Sequence, residues 1–231
     1  MKRNQKLTPE GRAFLEEVRA VEERLYPELL DPDQPRRLLG ARAFREFRPS
    51  HHVSRGLVGA ADVAEMSRAG RRVLSVGAYP AAFERLLCAL GVPPENLVVA
   101  DQDPAIADCP GEMEKVAFDM FDPWPELGTF DLILFPESLC MALGERVAGA
   151  EGAGPFPGDA LAGRLLAGVL AEAVRRLRPG GEVRADGPMS HPNVVRAASA
   201  ALDAAGHPHR LRYERFFLWV RPSDPPSECS V

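Results

Sequence analysis

Three acids in the middle of this chain each follow a short apolar run: Asp101 after LVVA (97–100), Asp119 after KVAF (115–118) and Glu137 after DLILF (131–135). An ionised carboxylate only accepts hydrogen bonds, so residues of this kind hold hydroxyls, amines or cations. Asp101, in ADQDP, stands 24 residues beyond Gly77, a spacing at which an acid accepts both hydroxyls of a ribose. Asp119, in FDMFDPW, is suited to an exocyclic amine, and Glu137, in FPES, lies where a substrate amine or a base would sit. Gly77 closes VLSV (73–76) and opens the turn GAYPA, after which Ala81-Ala82-Phe83-Glu84 starts a helix. Strand–turn–helix units of this kind hold nucleotides, usually with more than one glycine. Taken singly, Asp101 reads equally well as a turn residue before Pro104 and Asp119 as a loop cap.

These residues need a sheet to bring them together. Strand-like runs occur at 73–77, 97–100, 115–118, 131–135 and 182–186, with helical segments at 80–90, 104–108, 159–178 and 192–205. Continuous apolar strands alternating with helices indicate a parallel sheet covered on both faces, whose ligands bind at the carboxyl ends of the strands. HRLRYERFFLWVR (209–221) leaves no room for a crossover helix and reads as an antiparallel pair. The expected fold is therefore α/β, a doubly wound, mostly parallel, seven-stranded sheet with a C-terminal antiparallel strand pair and an N-terminal helical cap. Thr8-Pro9 starts a first helix that carries Phe14, Val18, Val21 and Leu25 at helical spacing. A second helix is expected over about 36–48, ended by Pro49, with Ser50-His51-His52 as a loop, and a third near 59–69. GERVAGAEGAGPFPG (144–158) reads as a loop. The expected division is a cap or lid at 1–70, a sheet domain at 71–221 and a flexible tail at 222–231.

Composition excludes several classes. The chain has 231 residues, 45% hydrophobic and 26% charged, which fits a folded domain with a sizeable core. A net charge of −5 argues against a general nucleic-acid binder. The four cysteines are scattered, without CxxC pairs or histidines at ligand spacing, so thiols in a reducing cytoplasm are expected and no metal. No apolar run approaches the ~20 residues that span a membrane. Charge is uneven: Arg36 to Arg55 holds six arginines and one acid, whereas Glu95 to Glu137 holds eleven acids and one base, Lys115.

The order VLSVG…VVADQDP…VAFDMFDPWPELGTFDLILF…LRPGGEV resembles the class I S-adenosylmethionine-dependent methyltransferases over about residues 70–221. The resemblance rests most on the twelve-residue step from Asp119 to Asp131, the LRPGG turn and the closing antiparallel pair. It implies a Rossmann-like fold, S-adenosyl-L-methionine as cofactor, and methyl transfer to a small-molecule acceptor. By position it also implies that Gly77, Ala78 and Tyr79 carry the methionine part of the cofactor and Asp101 its ribose. Gln102 then lies along the adenosine, Asp119 and the Met120 N–H meet the adenine, and Phe135, at the end of the fourth strand, is also implied at the cofactor.

The departures are specific. Ser75 stands where the family usually has an acid, and Tyr79 and Ala81 stand where it has further glycines. Tyr79 either packs over the cofactor or fills the pocket. FPES matches the Asn-Pro-Pro-aromatic motif of amine methylators at one proline only, which leaves the catalytic residue open with Glu137 as the candidate. A binding or scaffold protein without turnover, or transfer of another part of the same cofactor, are the alternatives. A nicotinamide-binding sheet is the nearest fold rival, but it wants the full GxGxxG turn and no RPGG hairpin.

Overall fold

A computed structural model describes residues 8–27, 48–149, 158–186, 192–206, 209–214 and 217–222. In chain order these form α1 (Pro9–Leu25), α2 (Pro49–Arg55), α3 (Ala60–Met66), β1 (Val73–Val76), α4 (Ala82–Ala89), β2 (Leu97–Asp101), β3 (Glu114–Ala117) and β4 (Phe130–Phe135). Then follow α5 (Ser138–Gly149), α6 (Gly158–Arg175), β5 (Leu177–Asp186), α7 (Pro192–Ala204), β6 (His209–Glu214) and β7 (Phe217–Pro222). The strands make one seven-stranded sheet in the order β3-β2-β1-β4-β5-β7-β6. β1 to β5 pair in parallel, and β7 runs antiparallel to both β5 and β6. This is the expected α/β architecture, with the strand order reversing between β1 and β4.

The apolar strands alternate across two cores. Leu74, Val76, Val98, Ala100, Ile133 and Phe135 face α5, α6 and α7. Val73, Leu97, Val99, Leu132 and Leu134 face the other way, where Phe14, Leu15, Val18 and Val21 of α1 join Val53, Val63, Met66 and the α4 residues Phe83, Leu86 and Leu87. The described N-terminal helices thus form one layer of the sandwich together with α4.

Local chemistry sets the ends of these elements. The Thr8 hydroxyl accepts from the Gly11 N–H (3.1 Å), capping α1. Pro49 does not close a helix into a loop but opens α2, because proline at the first helical position lacks an N–H that would be orphaned anyway. His51 and His52 are therefore helical, a correction to the loop expected there, while the helix expected over 36–48 lies outside the described residues but for Arg48. Buried Glu22 of α1 caps α2 in turn, its Oε1 accepting from the Ser50 N–H (2.8 Å) and its Oε2 from the Ser50 hydroxyl (2.9 Å).

Two further expectations change. Residues 144–149 belong to α5 rather than to a loop, since Ala, Glu, Arg and Val sustain a helix despite the glycines; 150–157 lie outside the described residues. β5 begins at Leu177, before the RPGG turn, and its register against β4 shifts between Phe130 and Leu132. Gly181 makes that shift possible: a Cβ there would stand 3.0 Å from the carbonyl oxygens of Arg178 and Asp131. Asp131 sits at the amino end of β4, away from Asp101, Asp119 and Glu137. It accepts from the Arg72 N–H (2.9 Å) and pairs with Arg71 and Arg178 (2.7 and 2.8 Å), tying β1, β4 and β5 together. Burial opposes its charge, but these donors hold its carboxyl below the ordinary range.

Candidate functional site

The carboxyl ends of β1, β2, β3 and β4 enclose a cavity of about 330 Å³, closed on one side by α5 and touched by Pro49 and His52 of α2. It lies at the reversal of strand order, where open α/β sheets hold ligands. Gly77, Ala78, Tyr79, Asp101, Gln102, Asp119, Met120 and Glu137 all line it. Phe135 does not: it is fully buried in the core that faces α5 to α7.

The single-glycine turn is held tightly. Gly77 has φ +72°, and a Cβ there would fall 2.1 Å from Ser138 Cβ, so only glycine lets α5 start this close. The Ser138 hydroxyl donates to the Val76 carbonyl (2.5 Å) from the same place. The N–H groups of Gly77 and Ala78 donate to the Ala100 carbonyl (2.7 and 3.0 Å), that of Tyr79 to Asp101 Oδ2 (3.0 Å), and that of Ala81 to the Ala78 carbonyl. Every N–H from 77 to 81 is thereby used inside the protein, and Pro80 has none. The turn offers no donors to cradle a phosphate. Ala81 occupies the left-handed region (φ 61°) that glycine takes at this point in richer turns. Tyr79 is 41% exposed at the rim and leaves the cavity open.

Asp101 accepts from Tyr79 N–H through Oδ2 and from Asp103 N–H through Oδ1 (2.9 Å), which fixes the carboxylate while each oxygen keeps accepting capacity. Asp119 accepts from the Phe121 N–H (2.9 Å) and forms an ion pair with Arg146 of α5.

Sequence reasoning missed the most informative acid. Glu84, on the first turn of α4, is buried and lines the cavity; its Oε1 accepts from the Ser75 hydroxyl (2.5 Å), and its Oε2 has no hydrogen-bond partner. Burial pushes its carboxyl up, the Ser75 hydrogen bond and His52 opposing this and the Asp101 charge adding to it. The signal was present in the departure at Ser75: the acid absent from β1 is supplied nine residues later and reaches back to that serine.

A second group lies at the ends of β4 and β5. His52 Nδ1 is 2.9 Å from Oδ2 of Asp186, a fully buried residue whose Oδ1 accepts from the Glu137 N–H (2.5 Å). Glu137 has φ 54°, and its Oε2 lies 2.7 Å from Arg55 in an ion pair without hydrogen-bond alignment. Cys140 donates to the Glu137 carbonyl (3.0 Å), and burial pushes its thiol up to about 12, so it supplies no thiolate near neutral pH. Among the described residues no group of His, Cys, Asp and Glu has the arrangement of a metal site, and no helix is long and apolar enough to cross a membrane.

No family model matches the sequence, and no curated protein does. Solved structures resemble it. The CcbJ methyltransferase from Streptomyces caelestis is 16% identical, with a TM-score of 0.39 over 56% of this chain and 48% of that one. The present chain therefore spans about half the length of CcbJ. DesVI from Streptomyces venezuelae is 12% identical at a TM-score of 0.49, covering 78% of this chain and 98% of its own. The sugar N-methyltransferase KedS8 from Streptoalloteichus is 14% identical at 0.45, covering 70% and 84%.

Proposed function

We propose that this chain is an S-adenosyl-L-methionine-dependent methyltransferase acting on a small molecule. One observation carries the proposal: the cavity is lined by five acidic side chains (Glu84, Asp101, Asp119, Glu137 and Glu145), two of them, Asp119 and Glu137, paired with Arg146 and Arg55, and by no lysine or arginine among the described residues. Such walls favour a cationic ligand and disfavour a dinucleotide, whose pyrophosphate would also find no free N–H in the 77–81 turn. S-adenosylmethionine carries two positive centres, a sulfonium and an α-ammonium, and supplies an activated methyl group.

The residues fit that cofactor in chain order. Gly77 and Ala78 lie along the methionine part, and the unpartnered Glu84 Oε2 takes the ammonium. Asp101 accepts the ribose hydroxyls beside Gln102. Asp119 and Met120 form the adenine end, with Arg146 drawing on Asp119. Tyr79 flanks the ligand from the rim. Pro49, His52, Glu137 and Met141 are left to surround the acceptor.

Isothermal titration with S-adenosylmethionine and S-adenosylhomocysteine tests this, with NAD and ATP as controls. Micromolar binding of the first two and none of the controls is expected. Asp101→Asn keeps the shape and loses the charge, and should weaken S-adenosylhomocysteine at least about tenfold, the scale of one charge-assisted hydrogen bond. Binding of NAD in preference to either would overturn the assignment.

A further inference from the structure

Among the described residues His52 is the one imidazole on the cavity wall, and three features of its setting go together. Its Nδ1 faces the Asp186 carboxylate at 2.9 Å. Its ring is held edge-on against Phe83, centroids 5.0 Å apart at 63°. Its Nε2 makes no hydrogen bond to any described residue. A buried carboxylate on one ring nitrogen selects the tautomer with the proton there and leaves a lone pair on the other. Glu137, whose N–H donates to the same Asp186, is already paired with Arg55.

We infer that His52 is the general base of this site, with Asp186 as its positioning residue, and that the acceptor presents an acidic hydroxyl such as a phenol rather than an amine. This rests on the methyltransferase assignment. A neutral amine attacks without help, whereas a hydroxyl is a poor nucleophile until its proton leaves, and a placed base contributes on the order of 10²–10⁴-fold to such a step. The acceptor oxygen gives its O–H proton to His52 Nε2 and forms a bond to the methyl carbon; the carbon–sulfur bond breaks, and its electron pair leaves on sulfur. The imidazolium produced has the Asp186 carboxylate at 2.9 Å and is attracted to Glu84, while Arg55, itself paired with Glu137, lies 3.8 Å from the same Asp186 oxygen.

The test is nitrogen-detected NMR of the full chain carrying ¹⁵N-histidine, with the His52 signal assigned by its loss in His52→Gln. The expected result at neutral pH is the Nδ1–H tautomer with a bare Nε2. Asp186→Ala removes the acceptor at Nδ1 and should raise the Nε2–H population in the same spectra. An Nε2–H tautomer in the unaltered chain overturns the inference. So does transfer of labelled methyl to primary amines at a rate that His52→Gln leaves unchanged. Titration of the same sample with S-adenosylhomocysteine separates the two claims: no binding with the expected tautomer defeats the cofactor assignment alone, and binding with the wrong tautomer defeats the role of His52 alone.

Discussion

Glu84 sets stability and binding against each other. Its carboxyl is raised by burial, so the folded state binds a proton more tightly than the unfolded chain does. By linkage, its contribution favours folding below the ordinary glutamate range and is lost as pH rises through the raised value. A cation placed beside Oε2 reverses the preference and favours the charged form. Cofactor binding should then release protons, and affinity should rise with pH until Glu84 is ionised in the free protein. Calorimetry in buffers of different ionisation enthalpy reads that release directly. Glu84→Gln keeps the shape while removing the charge. It should weaken S-adenosylhomocysteine at least about tenfold yet leave the melting temperature equal or higher at pH 8. A variant that melts lower and binds normally would show Glu84 to be structural.

Glu22 plays its part at the scale of helices. It joins α1 to the first turn of α2 and so fixes Pro49 and His52 at the cavity mouth. Glu22→Ala leaves the buried Ser50 N–H and hydroxyl without their acceptor, which costs on the order of 1–3 kcal/mol. For a chain of this size that is several degrees in Tm. Differential scanning calorimetry should show this loss together with a His52 NMR signal that broadens or shifts; an unmoved His52 would mean that α2 is held by its apolar side alone. The same helices show what could be read in advance and what could not. Gly77, Asp101 and Asp119 were legible because each ends an apolar strand, and strand ends converge on one edge of a parallel sheet. Glu84 and His52 were not, because their partners Ser75 and Asp186 lie nine and 134 residues away and meet them only through packing. α5 was missed because its glycine and alanine content imitates a loop, although it supplies one wall of the cavity.

Across the whole molecule, the described N-terminal helices bury their apolar faces on the sheet and on α4 rather than on one another alone. They carry no strand, and Leu57 and Val58, fully buried, lie in the same core as Leu132, Leu134 and Phe217. We propose that residues 1–70 are an integral layer and lid, not an independent unit. Expressed alone, this fragment should show weak helicity by circular dichroism and no cooperative melt. A sharp two-state transition would make it a domain in its own right.

That layer has a consequence for how the protein is made. Synthesis proceeds from the N-terminus, so α1, α2 and α3 leave the ribosome first, with Phe14, Val18, Val53 and Met66 uncovered. The surfaces that cover them are completed only with β4 and then with Phe217 of β7, near the end of the chain. The His52–Asp186 contact likewise cannot form until β5 has emerged. The nascent chain therefore carries an exposed apolar face until β7 has been made, the state that chaperones recognise and that aggregates when they are scarce. Recombinant yield should depend on slow synthesis more than the stability of the finished fold would suggest.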